Sequence, residues 1–297
     1  MHDEHESAKA ENMIYIATVH WLDATWVDIQ LDYFARYLGS SPYRVYAFLN
    51  GIEPEKYRQR IYYIDTAPIV AHTAKLNLLA AKICEDGEPE DIIYFIDGDA
   101  FPVGDIQGYV QEKLRQVPLV AVQRLENEGD PQPHPSFCAT TVKFWREING
   151  DWGQGPHWQT RDGRTRTDTG GLLWAKLKEK GIDWAPMLRS NRVNPHPLWF
   201  GLYQDLIYHH GAAFRTPYCM VDIRNARQTR WKKWLMDIAD SRLGTIRGGW
   251  LQNAIYSFVM KKQIRQSLHD SREIITDIRN NPGFVRRFTG RVNSGEN

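Results

Sequence analysis

Cysteine is scarce in this chain of 297 residues: Cys84, Cys138 and Cys219 are odd in number and far apart. No CxxC spacing links them, so the signatures of a zinc site or a redox centre are missing, and a reducing, cytoplasmic setting is expected. Long apolar runs are missing too. None approaches the roughly 18 to 20 residues that a membrane-spanning helix needs. The opening MHDEHESAKAEN is charged throughout, unlike a secretory signal, and reads as a flexible tail over residues 1–12. Internal repeats and low-complexity tracts are absent, and 42% hydrophobic with 12% aromatic residues excludes a disordered chain.

Net charge is nearly absent as well, at +1, but the balance is uneven. Residues 222–297 hold 15 Lys and Arg against 7 Asp and Glu, a surplus of eight, and the rest of the chain carries a deficit of seven. Such a split suits a C-terminal region resting on an anionic surface, phospholipid or nucleic acid. A solvated helical face that balances an acidic body is the competing account.

What is present is an alternation of strand and helix. MIYIATV at 13–19 reads as a buried strand, and Val27, Leu31, Phe34 and Leu38 fall at helical spacing after it. YRVYAFLNG is a second strand closed by an Asn-Gly turn, and IYYID at 61–65 a third. His72 to Asp86 carries the stripe Leu76, Leu79, Ile83 and stops at Gly87. The strand DIIYFI follows, then PLVAVQ at 118–123. The segment RLENEGDPQPHPSF after it is too rich in Pro, Gly and charge to predict regular structure. This order predicts an α/β fold, a largely parallel sheet covered by helices over residues 13–222. A basic helical extension over 223–297 completes the chain.

In such sheets ligands bind at the carboxyl ends of the strands, here TVHW with Thr18, FLNG and DGDAF. The strand IIYFI runs straight into Asp97, Gly98 and Asp99. Two carboxylates at i and i+2 in a turn after a strand offer hard oxygen ligands for Mg²⁺ or Mn²⁺, which normally bind substrate phosphates as well. A solvated turn is the structural alternative for an isolated D-G-D.

YFIDGDAF after this arrangement resembles the D-x-D motif of metal-dependent glycosyltransferases with the GT-A fold, bacterial type. The resemblance implies a GT-A-like nucleotide-sugar-binding sheet, a nucleotide-sugar donor, most simply a UDP-sugar, and Mn²⁺ or Mg²⁺ bridging its diphosphate. Asp97 would contact the donor ribose or the metal, and Asp99 the metal. Lys75, on the helix before this strand, and Thr18 would face the donor, although an exposed helix lysine is the plainer account of Lys75. HPSFCATTVKFW resembles the acceptor-side segment of the family. IYHHGAAFR resembles its late His-x-Gly element, with His209 as a metal ligand and Arg215 near the diphosphate. The hydroxyl acceptor, a glycan or another molecule, is not specified.

Asp168 in RTDTGGLLWAKLKEKG is the candidate base or donor-sugar contact, and equally a candidate N-cap for the helix carrying Leu173 and Leu177. Glu126, Glu128 and Asp130 compete for the base role, and inversion is favoured over retention. Trp152, Trp158, Trp199 and Phe200 could stack on acceptor sugars or fill the core. Two other enzyme classes bear on the same carboxylates. A sugar-phosphate nucleotidyltransferase lacks its glycine-rich N-terminal signature here. A metal-dependent nuclease would use the basic tail as its nucleic-acid footprint, without any recognised nucleic-acid module.

Overall fold

The computed structural model describes residues 12–39, 41–160, 163, 165–211, 230–245 and 249–290, apart from the side chains of Thr245 and of 262–264. Arg215 and most of the 222/223 boundary region therefore lie outside the described residues. The chain forms two compact units, Met1–Arg189 and Ser190–Asn297.

The first unit begins with β1 (Ile14–Trp21), α1 (Ala24–Tyr37), β2 (Tyr43–Asn50), β3 (Tyr63–Asp65), α2 (His72–Asp86), β4 (Ile92–Asp97) and β5 (Ala100–Pro102). It continues through α3 (Ile106–Leu114), β6 (Leu119–Gln123), β7 (Pro133–Thr141), α4 (Val142–Glu147), β8 (Trp158–Gln159), β9 (Thr165–Arg166), α5 (Gly171–Glu179) and β10 (Ala185–Met187). Seven strands make its main sheet in the order β10-β6-β7-β4-β1-β2-β3. β1 pairs in parallel with both β2 and β4, β2 with β3, and β6 with β10. Only β7 runs against its neighbours, β4 and β6. The expected α/β sheet is thus present and mostly parallel. Its apolar stripes behave as periodicity dictates: Leu76, Leu79 and Ile83 of α2 are buried against Tyr15, Phe48 and Phe95 of the sheet.

Two sequence expectations fail here. Residues 133–137, assigned to an irregular loop, open the nine-residue strand β7. Its pairing to β6 jumps between Ala121↔Cys138 and Val122↔His134, so Pro135 sits in a bulge where the ladder asks for no N–H. Asp168 is not the N-cap of α5: Gly170 is, at φ 98°, and with no side chain it makes no side-chain cap. A Cβ at Gly170 would stand 2.1 Å from the Pro133 carbonyl oxygen, so both the left-handed backbone and the contact with β7 require glycine.

The second unit holds the hairpin of β11 (Gly201–Tyr203) and β12 (Ile207–His209), then α6 (Arg230–Asp240), α7 (Arg242–Thr245), α8 (Trp250–Asn280) and α9 (Arg286–Thr289). Tyr208 packs edge-on to Phe284 and against Phe288, while Met236 of α6 is buried with Val259 and Met260 of α8. The helical C-terminal region expected from the sequence is present. Among the described residues no helix is long and apolar enough to cross a membrane. Trp152, Trp158, Trp199 and Phe200 are all buried, so each is a core residue of its own unit rather than an exposed stacking platform.

Candidate metal centre

β4 is buried until its last residue, and the chain then turns through Gly98 and Asp99 into β5. This puts the two aspartates at the carboxyl end of a strand beside β1, whose Val19 is in register with Asp97. Both are partly exposed, and an oxygen of one lies within 4.8 Å of an oxygen of the other. Two ionised carboxylates at that spacing repel each other, and a divalent cation held between them removes the repulsion. The donor set therefore fits Mg²⁺ or Mn²⁺, which take oxygen ligands.

Gly98 has a steric reason to be glycine. A Cβ there would meet the Val19 carbonyl oxygen at 2.4 Å and His20 Nδ1 at 2.8 Å. His20 is buried, and desolvation lowers its pKa to about 4, against the pull of the Asp99 and Asp23 carboxylates. It is therefore a neutral imidazole at physiological pH. Its Nε2 lies 3.1 Å from Gln30 Oε1, and Thr18 Oγ1 donates to the same oxygen at 2.9 Å. Gln30 Nε2 donates to the carbonyls of Asp97 at 2.8 Å and Ala100 at 2.6 Å. Thr18, expected at the donor, is instead 1% exposed, and its hydroxyl serves Gln30 beneath the turn.

His72, the first residue of α2, brings Nε2 to 3.1 Å from Asp97 Oδ1. Sequence reasoning read His72 only as a helix start, although a histidine opening the helix before the D-G-D strand was a visible signal. Lys75, one turn on, is not the exposed helix lysine of the plainer account. It is 2% exposed, with Nζ 4.3 Å from the ring centroid of Trp21 at the end of β1, and burial lowers its pKa. Trp21 itself is half exposed at the sheet's carboxyl edge.

Asp168 is partly exposed; its Oδ1 accepts from the Thr169 amide at 2.8 Å, and Asn127 Nδ2 reaches Oδ2 at 3.5 Å. Of its competitors, Glu128 pairs with Arg166 at 3.1 Å and Glu126 lies 3.7 Å from Arg189. Asp130 is fully buried, and desolvation pushes its pKa up to about 7, with the Gln132 amide and Arg124 opposing that rise and Asp168 adding to it.

In the second unit, the two histidines of YHHG differ sharply. His210 is fully buried, with Nδ1 3.0 Å from Tyr208 Oη and Nε2 2.7 Å from Ser271 Oγ. His209, the last residue of β12, is 9% exposed.

No protein-family model matches the chain, and no curated protein matches it. Among solved structures it is similar to the galactosyltransferase LgtC in complex with donor and acceptor sugar analogs, at 13% identity and TM-score 0.38, over 58% of this chain and 73% of that one. It is also similar to the apo-form glycosyltransferase GlyE of Streptococcus pneumoniae TIGR4, at 17% identity and TM-score 0.35, over 47% of this chain and 36% of that one. The bifunctional WbbM apo structure matches at 13% identity and TM-score 0.34, over 47% and 33%. The chain thus spans well under two thirds of GlyE's and WbbM's own length.

Proposed function

We propose that this chain is a metal-dependent glycosyltransferase that moves a sugar from a nucleotide-sugar, a UDP-sugar, to a hydroxyl group of a glycan or another acceptor. The observation that carries the reading is the D-G-D turn at the carboxyl end of β4, two partly exposed carboxylates held together where a central strand of a mostly parallel sheet ends. Asp97, Asp99 and His209 are the proposed ligands of Mn²⁺ or Mg²⁺. Bound there, the ion would stabilise charge on the departing nucleoside diphosphate. Lys75 and Arg215 contribute cations toward the same diphosphate, and Asp97 also serves the donor ribose. Thr18 supports donor binding from beneath, through Gln30. Asp168 is the proposed base, taking the acceptor's proton in an inverting reaction.

The second unit is proposed to rest on an anionic membrane surface. From Arg242 to His269 the sequence has five Lys and Arg and no Asp or Glu. Trp250, Ala254, Phe258, Lys261 and Arg265 recur along one face of α8 and are all exposed.

A panel of nucleotide-sugars incubated with Mn²⁺, followed by measurement of released nucleoside diphosphate, tests the reading. Turnover of one donor that stops on chelation is expected, with proton NMR of the product reporting the anomeric outcome. Cleavage of nucleic acid with no donor turnover would favour the nuclease instead.

A further inference from the structure

The buried polar residue beneath the D-G-D turn has no place in the sequence reading. Gln30 lies on the inner face of α1, between the apolar residues Val27 and Phe34, and is 1% exposed. Its amide nitrogen faces two backbone carbonyls, which only accept, so the orientation of the amide is fixed by its surroundings. Both N–H groups are used, toward Asp97 and Ala100, and Oε1 accepts from Thr18 and His20. Because Oε1 only accepts, His20 carries its proton on Nε2 and leaves Nδ1 bare, on the side where Gly98 passes. The four-residue turn is thereby held from beneath by Gln30 at both ends. At its middle it is confined by Val19 and His20, which leave no room for a Cβ.

We propose that Gln30 is a positioning residue for the metal-binding turn, fixing the carbonyls at its two ends so that Asp97 and Asp99 keep the spacing a divalent cation needs. This rests on the reading of those aspartates as metal ligands. The bond to Ala100 is buried, so that carbonyl, once stripped of its donor, has no solvent to turn to and the turn must move to satisfy it. Thr18 and His20 complete the clamp by occupying Oε1. Their own contacts with a ligand are not needed for it.

The test uses the full chain, wild type beside Gln30→Met, Thr18→Val and Asp99→Ala. Mn²⁺ binding is followed by electron paramagnetic resonance, with and without uridine diphosphate, and amide hydrogen exchange is followed by mass spectrometry. For Gln30→Met, exchange in peptides covering 96–101 should quicken at least tenfold while β6 is unchanged, and the Mn²⁺ dissociation constant should rise at least tenfold. Thr18→Val, which removes one of the four bonds, should move both quantities in the same direction by a smaller factor; it carries the test if Gln30→Met does not fold. Unchanged exchange in the turn, or faster exchange with wild-type Mn²⁺ affinity, overturns the proposal. If the wild type binds no Mn²⁺ under either condition, the metal reading fails, and turn exchange alone then decides whether Gln30 is a clamp.

Discussion

His72 Nε2 stands 3.1 Å from Asp97 Oδ1, joining the first residue of α2 to the first aspartate of the D-G-D turn. The histidine is 40% exposed and the aspartate 15%, so solvent screens the pair and it adds little to stability, on the order of 0 to 1 kcal/mol. His72→Ala should therefore leave the melting temperature within about 3 °C of wild type, by the usual relation between free energy and Tm in a protein of this size. Half-saturation by Mn²⁺ should shift far less than in Asp99→Ala. A loss of binding as complete as that of Asp99→Ala would make His72 a ligand in its own right.

Asp130 gives a pH prediction. Its carboxyl has a higher pKa folded, about 7, than unfolded, near the ordinary 3.8, so the native state holds this proton more tightly. Stability contributed by the protonated form is complete below the unfolded value and is lost as pH rises toward 7. That difference corresponds to about 4 kcal/mol as an order of magnitude. Asp130→Asn mimics the neutral acid, keeps an acceptor for the Gln132 amide, and should abolish this loss. Urea unfolding of both proteins at pH 4.5 and pH 8 is the check: the variant should gain on wild type at pH 8. An equal difference at both values would show that Asp130 is ionised in the fold throughout.

The neighbouring histidines should separate cleanly. His210→Ala removes the imidazole that meets Tyr208 Oη and Ser271 Oγ and should cost about 1 to 3 kcal/mol. Its effect on metal half-saturation should be small. His209→Ala should do the reverse, raising the Mn²⁺ concentration for half-maximal activity with little change in melting. Melting curves beside an Mn²⁺ series decide, and metal dependence that follows His210 would reassign the ligand.

Membrane contact predicts salt-sensitive binding to anionic vesicles and none to neutral ones. Lys261→Glu with Arg265→Glu should cut co-sedimentation at least tenfold, since each basic residue near such a surface is worth about 1 kcal/mol. Equal binding to both lipids, or to neither, would leave α8 as a solvated helix.

Much of the first unit was legible because its pattern is local. The stripes of α1 and α2 and the apolar β1, β2 and β4 are set by periodicity alone, and Asp97 and Asp99 stand out because charge ends an apolar strand. β7 was not legible at its start, since prolines argue against a strand unless the ladder carries a bulge, and the bulge is a property of its partner β6. Gln30 offered a weak signal, one polar residue on an apolar helical face, but its partners at 97 and 100 are distant in sequence. In sequence Gly98 passes for an ordinary turn glycine. Its actual constraint is the nearness of Val19 and His20, which only the sheet register creates. Thr18 shows the converse: placement at a strand end marks proximity to a site, whereas burial decides what the side chain can touch.

The central claim is that Asp97 and Asp99 bind a divalent cation together with a nucleotide-sugar. Isothermal titration of a UDP-sugar into wild type and Asp99→Ala, each with Mn²⁺ and with chelator, tests it most directly. The account predicts donor binding by the wild type only when Mn²⁺ is present, and at least a hundredfold weaker binding by Asp99→Ala at an unchanged melting temperature. Donor affinity that is the same in both proteins, or indifferent to the chelator, would contradict it.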